Sequence, residues 1–156
     1  MVKSITVGIK KIHPDAKIPV YISSGASGAD VFSVVDKDIL PNSYCAIDTG
    51  FALEMPHGIE AQIRPRSGIA GKYGVTILNS PGTIDFDYRG EIKILLINHG
   101  NTIFKIRKGM RIAQMVFSSV KHIDFKVKDK LDETDRGSGG FGHSDVGCNE
   151  KKNEGM

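Results

Sequence analysis

The sequence predicts an all-β domain, a sandwich or barrel of many short strands with little helix and a flexible C-terminal arm. Three observations predict it: short runs that alternate apolar and polar residues, turn residues between those runs at close spacing, and no helical periodicity longer than a turn or two. The chain has 156 residues, of which 40% are hydrophobic and 25% charged. Those values suit one ordinary globular domain, and a domain of this size buries enough surface, roughly 70%, to stand without a disulfide or metal staple.

Taken in order, Ser4 to Ile9 reads as the first strand. After the turn Leu40-Pro41-Asn42, Tyr44 to Thr49 and Phe51 to Met55 are short and rich in β-branched or aromatic residues. Beyond Pro56-His57-Gly58, Ile59 to Arg64 alternates strictly, the pattern of a half-buried strand. Ser67 to Tyr73 has room for one or two helical turns, and Gly68 and Gly71 argue against more. Ile92 to Ile97 is nearly continuous in apolar side chains, as expected of a strand covered on both faces. His99-Gly100-Asn101 leads into Thr102 to Ile106, and Lys108-Gly109 closes that strand. The β domain thus spans residues 1–128, residues 129–145 form a charged linker and a glycine-rich segment, and residues 146–156 read as a disordered polar end.

Composition excludes several function classes. A net charge of +3 diagnoses neither a nucleic-acid nor a membrane partner. No apolar run approaches the ~20 residues of a membrane span, and Met1 to Pro14 lacks the hydrophobic core of a secretory signal. Cys45 and Cys148 fit no metal spacing and read as free thiols. The expectation is a soluble intracellular protein of cytoplasm or nucleus. Glycine is the unusual count, at 18 residues, six of them after Asp135, where average usage is ~7%.

Four turn segments carry side chains suited to chemistry. Arg64-Pro65-Arg66-Ser67-Gly68 combines cations, a hydroxyl and glycine-exposed N–H groups that suit phosphate oxygens, or forms a solvated turn. In Asn79 to Glu91, Asp85 and Asp87 are two apart and share a face if the segment is a strand, as a metal pair or a general base; the same residues also make an ordinary hairpin. In Lys108 to Met115, Arg111 and Gln114 offer donors, while Ile112, Met115 and Val116 belong to the core. The tail sets Arg136 and Phe141 among glycines, a plain flexible end or a lid whose aromatic ring stacks on a base. A dinucleotide-binding glycine fingerprint is rejected, because no helix follows it.

Together these segments resemble the five ordered motifs of the trimeric deoxyuridine triphosphate nucleotidohydrolases, the dUTPases. Gly28-Ala29-Asp30-Val31-Phe32-Ser33 is similar to the first, and Pro65-Arg66-Ser67-Gly68 with Gly71, Lys72 and Gly74 to the second. Gly82 to Glu91 matches the third almost residue for residue. Gly109 with Arg111-Ile112-Ala113-Gln114 resembles the fourth, and Arg136 to Gly142 the fifth. Met110 stands where the family usually has Asp, and His143 and Asp145 replace the small residues that usually follow Phe-Gly.

The resemblance implies a jelly-roll-like fold and a homotrimer with shared active sites. It implies hydrolysis of dUTP to dUMP and pyrophosphate with Mg²⁺, which limits uracil in DNA and supplies dUMP for dTMP synthesis. It makes Asp85 the base that orients water toward the α-phosphorus, and Asp30 the holder of the metal's waters. Arg66, Ser67, Gly68, Gln114 and Arg136 then bind phosphates, Ser67 beside the bridging oxygen of the leaving pyrophosphate. Asn79, Gly82, Thr83, Ile84, Tyr88 and Lys93 hold the nucleoside, with Tyr88 against the sugar's C2′, and Phe141 and Gly142 close over it. Two rivals stand beside this reading: a dCTP deaminase of similar fold, which would need an acid/base Glu near Phe86 and Asp87, and a non-enzymatic β-trimer that keeps nucleotide binding.

Overall fold

The computed structural model describes residues 5–140. It is all-β and jelly-roll-like, with eleven strands and one short helix among the described residues. In chain order these are β1 (Gly8–Lys11), β2 (Ala29–Phe32), β3 (Lys37–Ile39), β4 (Ser43–Asp48), β5 (Phe51–Glu54), β6 (Ile59–Arg64), α1 (Ser67–Tyr73), β7 (Val75–Ile77), β8 (Gly82–Ile84), β9 (Lys93–Asn98), β10 (Phe104–Ile106) and β11 (Arg111–Ser119). Two larger sheets carry the site, one in the order β2-β11-β6-β8 and one in the order β4-β9-β7; β1 pairs with β5 and β3 with β10. Every ladder is antiparallel.

The alternation of β6 does what its pattern dictates. Ala61 and Ile63 point into the core, and the outer face strings Arg64 to Gln62 and Gln62 to Glu60 through side-chain hydrogen bonds of 2.6 to 3.2 Å. The strand covered on both faces is β5, not the run from Ile92. Phe51, Ala52 and Leu53 are all buried, whereas β9 buries Ile94 and Leu96 and leaves Leu95 and Ile97 only half-buried. Among the described residues the first strand runs from Gly8 to Lys11, paired with β5, beyond the Ile9 end the sequence suggested; Ser4 lies outside the described residues, and the N–H groups after Lys11, from Ile12 and His13, turn to the Gly50 carbonyl. Gly50 has φ +73°, and a Cβ there would lie 2.7 Å from that of His13, so only glycine fits. The helix ends at Gly74, in the left-handed conformation with φ +67°, as a C-cap requires.

The core joins Val31, Ile39, Ile47, Phe51, Ile63, Ile94, Leu96, Ile106, Ile112 and Met115 into one cluster, each such side chain contributing about 1.5–3 kcal/mol on burial. Met110, which stands where the family usually has Asp, packs half-buried against this cluster. The compact unit that contains these strands runs to His122. From Ile123 a second unit follows, built of turns: Lys130 pairs with Glu133 at 3.1 Å, and the Gly137 amide donates to the Thr134 carbonyl and hydroxyl at 2.9 and 3.1 Å. No helix among the described residues is long and apolar enough to cross a membrane.

Asn98, fully buried at the end of β9, anchors this plan. Its amide nitrogen donates to the carbonyls of Ile39 and Thr102 at 3.0 and 2.8 Å, and its oxygen accepts the Gly100 N–H at 2.9 Å. Asn98→Leu strands three backbone groups at ~1–3 kcal/mol each. Urea unfolding is expected to show a loss of at least ~3 kcal/mol with an unchanged m-value.

Candidate active site

The phosphate-binding candidates gather at one corner of the four-stranded sheet. β11 lies between β2 and β6, so Gln114 stands opposite Asp30 on one side and Arg64 on the other. Asp30 is buried, its side chain only 10% exposed, and each carboxylate oxygen has its own guanidinium. Arg66 Nε donates to Oδ1 and Arg111 Nη1 to Oδ2, both at 3.1 Å. Arg66 Nη1 also donates to the Arg111 carbonyl at 3.1 Å. Arg66 therefore keeps three of its five donors for a ligand. Gln114 Nε2 donates to the Pro65 carbonyl at 3.0 Å, and its Oε1 fills the space beside Gly28, where a Cβ would approach to 2.6 Å. Ser67 and Gly68 are exposed as the first residues of α1, and their N–H groups have no intrahelical acceptor. A Cβ at Gly68 would meet nothing within 4 Å.

The nucleoside candidates gather elsewhere. Thr83, Ile84, Asp85, Tyr88 and Lys93, with Ala46, Glu91 and Leu95, line a cleft of 310 Å³, a volume at the small end of ligand pockets. The segment from Asn79 to Lys93 is not the hairpin the sequence suggested. β8 pairs with β6 and β9 with β4 and β7, so the turn between them crosses from one sheet to the other. Nor do Asp85 and Asp87 share a strand face: the strand stops at Ile84, and Phe86-Asp87 is a turn, closed by the Tyr88 amide on the Asp85 carbonyl at 3.2 Å. Asp85 is exposed and also borders a second cleft of 260 Å³ with Glu60, Asp87 and His122. Tyr88 rests its hydroxyl on the Glu91 carbonyl at 3.2 Å, and a side chain at Gly90 would strike that ring. Asn79 lies against Gly82, its amide 3.4 Å from where a Cβ would stand.

One chain does not bring the two groups together. Ile84 pairs with Ala61, which sets Asp85 level with Glu60 at the far end of β6 from Arg66. At about 3.3 Å per residue, the extended chain from Glu60 to Arg66 covers roughly 20 Å. Arg136 belongs to the second unit, where its Nε donates to the Gly139 carbonyl at 2.8 Å. Phe141 and Gly142, with residues 143–145 of the glycine-rich segment and the 146–156 end, lie outside the described residues.

Three features of the site region escaped the sequence reading. Arg111 was read only as a donor within the fourth motif, yet it is a partner of Asp30. Asp48, on β4, holds Lys93 Nζ at 2.8 Å, and Glu91 lies 3.7 Å from it while accepting the Gly50 N–H at 2.9 Å. His57 packs edge-on against Phe86, centroids 4.9 Å apart, behind the Asp85 turn. The sequence signal for each is a charged or polar side chain beside a motif, which is too common to select. Cys45 is a free thiol, its pKa pushed up by burial.

An antiparallel jelly-roll-like domain with a corner of arginine, serine and glutamine donors and a separate nucleoside-sized cleft defines a nucleotide-handling β protein. Comparison with known proteins makes that class specific. The family model described as dUTPase matches residues 14–145. A deoxyuridine 5'-triphosphate nucleotidohydrolase of Picosynechococcus sp. is 54% identical over 132 residues, covering 85% of this chain and 93% of the relative. One from Clostridium tetani is 51% identical over 137 residues, covering 88% and 94%. The Staphylococcus bacteriophage 80alpha dUTPase solved with dUPNHPP superposes with a TM-score of 0.84 at 25% identity, covering 90% of this chain and 99% of that one. A mutant dUTPase from phage phi11 of S. aureus, whose structure reveals the coordination of a structural Mg(II) ion, shares the fold with a TM-score of 0.76 at 20% identity, covering 82% and 99%. The chain belongs to the dUTPase family.

The Lys93 contacts set a pH dependence. The hydrogen bond to Asp48 first, then the charges of Asp48 and Glu91, raise the Lys93 pKa above its ordinary 10.5. A raised folded pKa means that the contribution to stability is complete below that ordinary value and is lost as pH rises through the folded one. Asp48→Asn is expected to flatten the alkaline decline in stability above pH 10.5, read as the difference between the two proteins' unfolding midpoints across that range.

Proposed function

We propose that this chain hydrolyses dUTP to dUMP and pyrophosphate, with Asp85 as the general base. The observation that carries the assignment is the Asp85 carboxylate itself. It stands exposed at the end of β8 and borders the nucleoside-sized cleft, with no ion-pair partner among the described residues. A carboxylate without a basic neighbour accepts a proton from water, and the freed hydroxide equivalent attacks the α-phosphorus. The bond from that phosphorus to the bridging oxygen breaks, and pyrophosphate leaves with the electron pair. Arg66, the Ser67 and Gly68 amides, Gln114 and, from the tail, Arg136 receive the charge of the phosphates.

The separation of Asp85 from Arg66 supports a homotrimer with shared sites. A triphosphate is far shorter than roughly 20 Å of extended strand, so the base of one copy serves phosphates held by another. Mg²⁺ fits as a substrate-borne ion. Among the described residues no three His, Cys, Asp or Glu side chains converge on a point, and an ion that rides on phosphate oxygens with its own waters needs no such cluster. Asp30 keeps lone pairs beyond the two its arginines use, and these would accept hydrogen bonds from metal-bound water. When bound, the ion neutralises the charge that develops on the phosphates.

Selection follows from the cleft. β8 is an edge strand, so its outer backbone groups are free to pair with the polar edge of uracil, where the amino group of cytosine would set donor against donor. Tyr88, fixed by the Glu91 carbonyl, is placed against the sugar's C2′ and refuses ribose by crowding.

Asp85→Asn is expected to lower kcat for pyrophosphate release by ~10²–10⁴-fold while leaving the affinity for a non-hydrolysable dUTP analogue unchanged. Normal turnover in that variant sinks the base assignment. Tyr88→Ala is expected to narrow the dUTP-over-UTP preference by about 10-fold or more, the scale of steric discrimination, measured as the ratio of kcat/KM values.

A further inference from the structure

We propose that Arg111 is a positioning residue of the phosphate corner, set there by a β-bulge, and that it acts through Asp30 and Arg66. The inference rests on the hydrolase reading above and adds to it a residue outside the substrate-touching set. On a regular strand Arg111 and Gln114, three residues apart, face opposite sides of the sheet. In β11 the register against β2 slips between Arg111 and Ala113: Arg111 stands opposite Phe32, Ala113 opposite Val31 and Gln114 opposite Asp30. The extra residue in β11 turns the Arg111 side chain to the face that Gln114 and Asp30 share, which is what a bulge beside a working site accomplishes.

The contacts made there are specific. Arg111 Nη1 donates to Asp30 Oδ2 at 3.1 Å while Arg66 Nε donates to Oδ1 at 3.1 Å, and the Arg111 carbonyl accepts from Arg66 Nη1 at 3.1 Å. Arg111 therefore fixes two groups at once. It holds one carboxylate oxygen of Asp30, which keeps Arg66 to a single oxygen, and its carbonyl sets the tilt of the Arg66 guanidinium. Without the Arg111 side chain, both oxygens of a carboxylate only 10% exposed are left to Arg66. The guanidinium then closes into a two-pronged pair with Asp30 and turns its remaining donors away from the phosphates.

The test is a double-mutant cycle on the full-length chain with Arg111→Met, Asp30→Asn and the pair, read both by pyrophosphate release and by titration with the non-hydrolysable α,β-imido analogue of dUTP. Arg111→Met is expected to lower kcat/KM by about 10–100-fold, the cost of a small displacement of a catalytic constellation, and to weaken analogue binding. Arg111→Lys, which keeps a donor for Oδ2, is expected to recover most of the loss, the backbone carbonyl for Arg66 being present in every variant. The double variant is expected to lose no more than Asp30→Asn alone. If Arg111→Met does not fold, Arg111→Gln enters the same cycle. Unchanged kinetics and binding, or losses that multiply in the double variant, overturn the proposal. The binding arm reads the same coupling independently of turnover, so a wild-type chain that releases no pyrophosphate overturns the hydrolase reading and leaves this one to be judged by binding.

Discussion

The Asp30 carboxylate is the constraint on which the working end of this domain depends. A carboxylate with a side chain only 10% exposed is costly unless each oxygen is paired. Here the two partners come from distant parts of the chain, Arg66 from the β6–α1 turn and Arg111 from the start of β11. Three segments far apart in sequence must meet for that charge to be buried at all. Losing one partner of a fully buried pair costs about 3–5 kcal/mol; Arg66 and Arg111, at 28% and 44% side-chain exposure, stay partly hydrated, which lowers the figure and leaves them donors for a ligand. One interaction thus serves two ends. It locks β2, β11 and the turn together, and it holds a guanidinium at the surface in a single orientation.

The same sheet that gathers the candidate phosphate donors holds Asp85, the proposed base, away from them. β8 runs antiparallel to β6, so moving along the chain from Gly82 to Asp85 moves away from Arg64 and Arg66. The strands that lead to both ends, β8 as far as Ile84 and β6 as far as Arg64, are fixed by ladder pairing. The register keeps Asp85 and Arg66 apart within one copy, and that separation is the physical ground for the proposed sharing of sites between copies.

How much of this was legible in the sequence varied with how local the cause is. The alternation of Ile59 to Arg64, the short helix with its glycine stop and the strand character of residues 44–55 and 92–97 rest on neighbours a few positions apart, and they stand within a residue or two of where the pattern sets them. β2 was not legible as a strand. Asp is disfavoured in strands, and only partners 36 and 81 positions away explain its burial there. The role of Arg111 was hidden for a related reason, since a bulge is a property of two paired strands and leaves no mark on one of them. The turn after Ile84 misled in the opposite way. Asp-Phe-Asp-Tyr suits a hairpin chemically, but β9 had better partners in β4 and β7, and pairing across the sheets overrode the local preference.

Glycine shows the same division at single positions. The excess suggested backbone that approaches a ligand, and the structure assigns different causes to residues that look alike in sequence. Gly68 opens onto empty space at the head of α1, where added atoms would occupy room a phosphate needs. Gly82 is small because Ile63 of β6 lies 3.3 Å from where its Cβ would stand, a demand of sheet packing. Gly90 is small because Tyr88 folds back over it, so the position of a residue lining the cleft depends on a neighbour with no side chain. A substituent at Gly68 therefore acts on binding, one at Gly82 on the sheet and one at Gly90 on the orientation of Tyr88. Only at Gly68 would the added atoms meet open space; at Gly82 and Gly90 they would meet the fold itself.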